Sequence, residues 1–316
     1  MTVQLIDIAV MVINSALIVL LAPLIDGIIS TLVSRFQSRR GSPITQTYRD
    51  LFKLLSKQSE TVPDTPFHQL YQAVPVILFA VAVLVASLIP TFIARPLGVA
   101  DIIVIFYILA IARFVASIGA FNTANPYSVI GAERENFMSL MIEPTAILSF
   151  SVISLIAGST MLPHIIDSIF PGGNLAHPAL YMAVLAVVTV LVVETCIVPF
   201  DLAEAEQEIY EGLMAEYGGK KFALMKWFIL TKRMIMLSLV VNLLIPFGVA
   251  TSLDLMALLI GVSAYLAKIL AAGIILALIA AGNARLKIFS LARTLQLSFG
   301  LSILALAVYV LTIGGM

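Results

Sequence analysis

Apolar runs of about 20 residues, the length needed to cross roughly 30 Å of hydrocarbon, recur eight times along this 316-residue chain. They fall near 5–33, 71–92, 98–121, 138–160, 177–199, 228–250, 255–281 and 296–315. Prolines bound or interrupt several of them (Pro23, Pro75, Pro90, Pro163, Pro199 and Pro246), as membrane helices tolerate. The pattern predicts an all-α integral membrane protein, a single membrane domain over 1–316. The first run lacks a basic start and a small-residue cleavage site, so it reads as a retained span rather than a signal peptide.

The polar segments test that count. Loops that stay in the cytoplasm carry an excess of Lys and Arg. Numbering the connections in order, every Lys and Arg falls in or beside an odd-numbered connection except Arg95, Arg113 and Lys268. This alternation predicts that both termini face outside and that the odd loops are cytoplasmic. In the first loop, Ile44, Tyr48, Leu51, Phe52 and Leu55 recur at helical spacing opposite Arg49, Asp50, Lys53 and Lys57. An amphipathic helix over about 43–59 is expected, with Ser42 as its cap and Pro43 in its first turn. It lies in the membrane surface or docks a partner.

Composition agrees with the pattern. The chain is 61% hydrophobic and 11% charged, against about 25% charged in soluble domains. Zero formal net charge gives no bulk attraction to nucleic acid. One cysteine (Cys196) and three histidines (His68, His164 and His177) are too few for an iron–sulfur cluster, which takes about four thiolates, or for a structural zinc.

The charges that remain are informative by position. Seven acids and no Lys or Arg lie between Glu194 and Glu216, in ETCIVPFDLAEAEQEIYEGLMAE. Asp201 and Glu204 have the spacing of a capping box. Glu204, Glu208 and Glu211 then share a helix face, with Glu206 off it, forming an acidic cytoplasmic loop over about 200–222. A solvated helix explains Glu211 but not Glu194, which sits inside an apolar run. Glu143 in the fourth run poses the same problem, and Arg113 and Lys268 complete four intramembrane charges. An ionised group at the bilayer centre costs roughly 2.5 to 3.5 kcal/mol on insertion scales, and such groups mark ion and proton paths by default. Pairing that merely holds the bundle together is the other reading.

Four strings then carry a resemblance: SRFQSRRGSPITQTYRDLFKLLSKQS (34–59), FYILAIARFVAS (106–117), NPYSVIGAERENFMSLMIEP (125–144) and ETCIVPFDLAEAEQEIYEGLMAEYGGKKFALMKW (194–227). They resemble the membrane subunit of formate hydrogenlyase and related energy-converting NiFe hydrogenases. That family is similar in turn to the membrane subunit of respiratory complex I that adjoins the quinone site, the ND-one family. The resemblance implies a membrane anchor that couples electron transfer in a hydrophilic arm to proton or sodium movement. It implies as partners a NiFe large subunit, an iron–sulfur small subunit and antiporter-like membrane subunits, in the cytoplasmic membrane of a bacterium or archaeon. The NiFe centre and the clusters belong to those partners, and no catalytic centre or metal to this chain. By matched motif, Glu143 and Glu194 correspond to intramembrane glutamates of a proton path, Asp201, Glu204, Glu206 and Glu216 to the acidic cytoplasmic loop, and Arg39 with the surface helix to the loop against the redox subunits. With the intramembrane charges Lys268 and Arg113, the expected proton path is Glu143, Glu194, Asp201, Glu204, Glu206, Lys268 and Arg113, and Arg39, Arg40, Arg134, Glu208 and Glu216 are expected to face the arm. The compact loop Arg39-Arg40-Gly41-Ser42-Pro43 and Ala203 fit the hydrogenase branch better than the complex I branch. Ile197, Asn122 and Ala280 depart from the family by removing charge. A quinone-site subunit of a complex I-type dehydrogenase and a sulfur-reducing complex are the alternatives. A stand-alone carrier predicts inverted repeats, which the sequence lacks.

Overall fold

A computed structural model describes residues 5–57, 65–93, 100–169, 177–201, 212–250 and 254–314. Ten α-helices run through these residues: α1 (Leu5–Phe36), α2 (Gln46–Ser56), α3 (His68–Leu88), α4 (Ile102–Phe121), α5 (Pro126–Ala157), α6 (Leu162–Ile169), α7 (Pro178–Glu194), α8 (Gly219–Leu244), α9 (Leu255–Gly282) and α10 (Ile288–Gly314). Seven are long and apolar enough to cross a membrane, and α7 is an eighth apolar helix of 17 residues. Each of the eight expected runs is therefore occupied by an apolar helix, seven of them of spanning length. Large apolar side chains such as Leu140, Leu255 and Leu311 remain exposed on the outside, as expected where hydrocarbon rather than water is the surrounding medium.

Several helices outrun the apolar windows. Asn125 caps α5 by accepting from the Tyr127 amide at 2.8 Å, and Pro126 occupies the first turn, where its missing N–H costs nothing. The helix thus starts twelve residues before the hydrophobic run at 138 and absorbs most of the third loop. Likewise α8 begins at Gly219 rather than 228.

The odd connections meet at one end of the bundle. Asn122 exchanges hydrogen bonds with the Phe67 backbone at 2.9 and 3.2 Å, joining the first and third. Asn125 donates to Glu216, joining the third and fifth. Arg285 pairs with Asp201 at 2.9 Å, joining the fifth and seventh. At the other end, Asp101 caps α4 and accepts from Thr160, tying the second and fourth. Arg95 is the single Lys or Arg in the even connections, so the charge alternation and the packing agree on which loops share a side.

The surface helix is shorter than expected. It begins at Gln46, and Thr45 rather than Ser42 stands at its cap, with no side-chain capping bond. The preceding residues are committed to α1 instead. Thr31 donates to the Ser42 carbonyl at 2.9 Å, and a Cβ on Gly27 would stand 2.0 Å from the Ile44 carbonyl oxygen. Thr47 and Leu51 are buried against the bundle, while Arg49, Phe52 and Lys53 face outward.

Pro23 explains how α1 holds its neighbours. Proline has no N–H, so the carbonyl four residues earlier, Val19, loses its helical donor, and the ring crowds that turn. In hydrocarbon an unsatisfied carbonyl is expensive. The Trp227 indole of α8 donates to Val19 at 3.1 Å, and the Tyr48 hydroxyl of α2 donates to the adjacent Leu20 carbonyl. A double-mutant cycle measures this. Trp227→Phe should destabilise the protein by about 1–3 kcal/mol in detergent unfolding, and by less than half that in a Pro23→Ala background, where the restored N–H satisfies Val19. Equal losses in both backgrounds would refute the pairing.

Candidate functional site

Four helices each bring ionisable side chains to one point inside the bundle. Arg113 comes from α4, Glu135 and Glu143 from α5, Glu194 from the last residue of α7, and Lys232 from α8. Glu194 lies between the two cations. Its Oε1 accepts from Arg113 Nη1, and its Oε2 lies 2.9 Å from Lys232 Nζ. Arg113 Nη2 also donates to Glu143 Oε1 at 2.7 Å, and Lys232 Nζ to Glu135 Oε1 at 3.2 Å. The order is therefore Glu143, Arg113, Glu194, Lys232, Glu135.

Local sequence fixes each member. α7 stops at Glu194 because Thr195 turns its hydroxyl back onto the Val192 carbonyl at 2.7 Å and Cys196 adopts a left-handed conformation with φ of 50°. Pro199 follows and cannot supply a helical N–H. In α5, Pro144 directly follows Glu143 and frees the Leu140 carbonyl, so the helix is weakened where its acid meets Arg113.

Burial is uneven along the chain of charges. Glu194 is 5% exposed and Arg113 8%, whereas the Glu143 side chain is 42% exposed. Glu143 borders an open groove of about 600 Å³ between α4 and α5, with Ser117, Glu133, Asn136 and Ser139 among its polar lining. Arg113, Glu135, Glu194 and Lys232 line a second, smaller cavity of about 30 Å³ with Thr195, Cys196 and Met214. That volume is enough for one or two waters, since about 10–15 Å³ suffices for one, and the charged groups supply partners within an otherwise mostly apolar lining. Three carboxylates against two cations leave one formal negative charge. A single added proton neutralises the group.

The far end of the acidic stretch is also anchored near this cavity. A Cβ on Gly131 of α5 would stand 2.7 Å from Gly212 Cα, so α5 and the 3₁₀ turn Gly212–Met214 meet through backbone. Tyr217 then stacks on Tyr71 at 4.8 Å between ring centroids, Tyr71 donates to the Glu216 carbonyl at 2.9 Å, and Lys221 sits over the Tyr71 ring at 4.3 Å. Burial pushes the Tyr217 hydroxyl above the ordinary phenol range, so it stays a neutral phenol.

Of the residues singled out in the sequence, the structure joins Arg113, Glu143 and Glu194. It places Asp201 in its ion pair with Arg285 and Glu216 against Asn125. Arg39 and Arg40 are exposed beyond α1, and Arg134 is half-buried on α5. Glu204, Glu206 and Glu208 lie outside the described residues. Lys268 does not join the group: midway along α9, its ammonium donates to the Ile245 carbonyl at 2.7 Å. Lys232 and Glu135 take part instead. Glu135 falls in a charged stretch that reads as loop, and only the extension of α5 before its apolar window brings it inside; Lys232 lies near the start of the sixth run, where the neighbouring basic residues make it read as a helix end beside the fifth loop. Among the described residues no cluster of His, Cys, Asp and Glu is arranged to hold a metal ion.

Comparison with known proteins places this arrangement. The family model described as NADH dehydrogenase matches residues 8–313. Formate hydrogenlyase subunit 4 of Escherichia coli (strain K12) is 33% identical over 286 residues, covering 90% of this chain and 92% of that protein. Hydrogenase-4 component C of the same organism is 37% identical over 259 residues, 81% of each chain. NADH-quinone oxidoreductase subunit 8 of Rhodothermus marinus is 30% identical over 190 residues, 57% of this chain and 54% of that one. A chain of the membrane-bound sulfane sulfur reductase, an archaeal respiratory membrane complex, shares the fold with a TM-score of 0.78 at 21% identity, over 96% of this chain and 99% of that chain. With the family match spanning 8–313 and a 33%-identical relative across 90% of its length, the chain belongs to the NADH dehydrogenase family as a multi-pass membrane protein.

Proposed function

We propose that this chain is the membrane anchor and coupling subunit of a multisubunit energy-converting hydrogenase of the formate hydrogenlyase type. In this reading it links electron transfer in a hydrophilic arm to proton or sodium translocation, and its odd-numbered loops face the cytoplasm with both termini outside. The observation that carries it is Glu194, buried and held between Arg113 and Lys232 with Glu135 and Glu143 at the two ends. The identities to formate hydrogenlyase subunit 4 and hydrogenase-4 component C favour hydrogenase partners, with the NiFe centre in the large subunit and iron–sulfur clusters in the small one. The reading assigns Arg39, Arg40, Arg134, Glu208 and Glu216 to the side facing the arm.

The physical basis is charge balance. Removing one excess negative charge from a low-dielectric interior is favourable, so the network takes up a proton when its surroundings become more negative and releases it when they become more positive. An electron arriving in the arm is such a change. Moving a unit charge against 100 mV needs about 2.3 kcal/mol, equivalent to a change of under two pKa units at about 1.4 kcal/mol each. Asp201, Glu204 and Glu206 extend the path towards the arm, Glu143 opens it to the groove, and Lys268 is left to other work at Ile245.

Glu143→Gln and Glu194→Gln each leave two carboxylates against two cations, a group already neutral that needs no proton. Each should lower the protons moved per hydrogen formed by about tenfold, a 1.4 kcal/mol penalty, measured in inverted membrane vesicles. Unchanged ratios in both variants would reject the path. Purification in mild detergent should recover the chain with NiFe and iron–sulfur subunits, and a partner set without them would reject the hydrogenase assignment.

Removing one partner of a buried ion pair leaves the other charge uncompensated, at about 3–5 kcal/mol. Lys232→Met should therefore destabilise the assembled complex by that order in thermal unfolding. Adding Glu194→Gln should recover a substantial part of the loss, because contacting residues are not additive. A double variant as unstable as the sum of the singles would show that the pair does not interact.

A further inference from the structure

Lys232 and Arg233 are neighbours on α8, so their side chains leave the helix about 100° apart. Lys232 reaches Glu194. Arg233 turns the other way, donating from Nε to the Thr195 carbonyl at 2.8 Å and pairing through Nη1 with Asp26 of α1. Thr195 directly follows Glu194 and is the C-cap of α7. One cation thus grips the carboxylate while the next grips the backbone carrying it.

Asp26 reaches further. Its second oxygen accepts from the Thr47 hydroxyl of α2 at 3.3 Å. The same stretch of α1 receives the entry to α2 at Gly27 and Thr31 and the Tyr48 hydroxyl at Leu20. The Arg233 and Asp26 side chains are 14% and 23% exposed, well enough shielded for their attraction to survive salt. A continuous set of contacts therefore runs from α2 through Thr47, Asp26, Arg233 and Thr195 to Glu194. The outward face of α2, with Arg49, Phe52 and Lys53, is free of this set.

We propose that Asp26 and Arg233 are positioning residues that tie the surface helix α2 to the end of α7, so that a partner protein shifting α2 shifts Glu194 relative to Arg113 and Lys232. The inference rests on the coupling function proposed above and names a mechanical input to its buried network. Asp26→Asn leaves the Arg233 guanidinium without its counter-charge and α2 without its charged acceptor. Asp26→Glu retains both. Thr47→Val cuts the α2 link and leaves every charge in place.

Cys196, the single cysteine of the chain, follows Thr195 and is buried, so its reaction with a small membrane-permeant maleimide reports opening at the end of α7. The assembled complex in native membranes is labelled, and the Cys196 peptide is followed by mass spectrometry. Loss of a charge-assisted hydrogen bond predicts labelling about tenfold faster in Asp26→Asn. Asp26→Glu should stay within about twofold of wild type, with about threefold acceleration in Thr47→Val, where one long hydrogen bond of 3.3 Å is lost and the ion pair stays. Protons moved per hydrogen should fall in Asp26→Asn and recover in Asp26→Glu. Wild-type labelling in Asp26→Asn or Thr47→Val, labelling of Asp26→Glu as fast as Asp26→Asn, or, in a complex whose wild type pumps, faster labelling with an unchanged proton ratio would each overturn the link. Should Asp26→Asn fail to assemble, Thr47→Val decides on its own. Labelling reads the link whether or not the complex pumps, whereas the Glu143 and Glu194 variants test the coupling reading, so the two fail separately.

Discussion

Taking a carboxylate out of water is costly by several kcal/mol unless opposite charge and hydrogen bonds replace the solvent. At Glu194 they do, because Arg113 and Lys232 arrive from different helices and occupy one oxygen each. That requirement fixes α4, α7 and α8 at one depth and one rotation. Glu143 takes a further donor of Arg113 and Glu135 one of Lys232, which brings in α5. The apolar surfaces of these helices are interchangeable in kind; their relative placement is specified by the charges.

The second constraint is the backbone. A bilayer offers no water to an orphaned carbonyl, so each interruption of a spanning helix needs a donor from elsewhere. Pro23 frees Val19, and Trp227 supplies one; Leu20 beside it takes the Tyr48 hydroxyl. Ile245, where α8 ends, takes the Lys268 ammonium. These donors come from α2, α8 and α9, so breaks in individual helices become joints between helices. The surface helix is fastened to the bundle at one of those joints, close to the residues that hold the end of α7.

Much of this was legible in the sequence because hydrocarbon allows few exceptions. Eight apolar runs became eight helices, and the segregation of Lys and Arg anticipated which connections meet at one end. Arg113, Glu143 and Glu194 stood out as charges inside apolar runs. Glu135 and Lys232 did not: Glu135 lies in a charged segment before its apolar run and is carried inward only by helix continuation, while Lys232, near the start of its run, reads with its basic neighbours as the end of a cytoplasmic loop. Lys268 looked like their equivalent, but its partner is a backbone carbonyl freed by a helix end, which hydropathy does not register. The start of α2 was displaced for a similar reason: Ser42 and Ile44 have cap-like sequence but are held against Gly27 and Thr31 by packing between segments.

What unites these features is a group of charges with one formal negative charge in excess, bordered by a small cavity at Glu135, Glu194 and Lys232 and open to a groove at Glu143. Infrared difference spectroscopy of the assembled complex, oxidised against hydrogen-reduced, reads that charge directly through the carbonyl stretch of a protonated carboxyl group. A band that changes on reduction and disappears in both Glu143→Gln and Glu194→Gln is the predicted result. A spectrum with no carboxyl change on reduction, or one identical in wild type and both variants, would contradict proton exchange in this network.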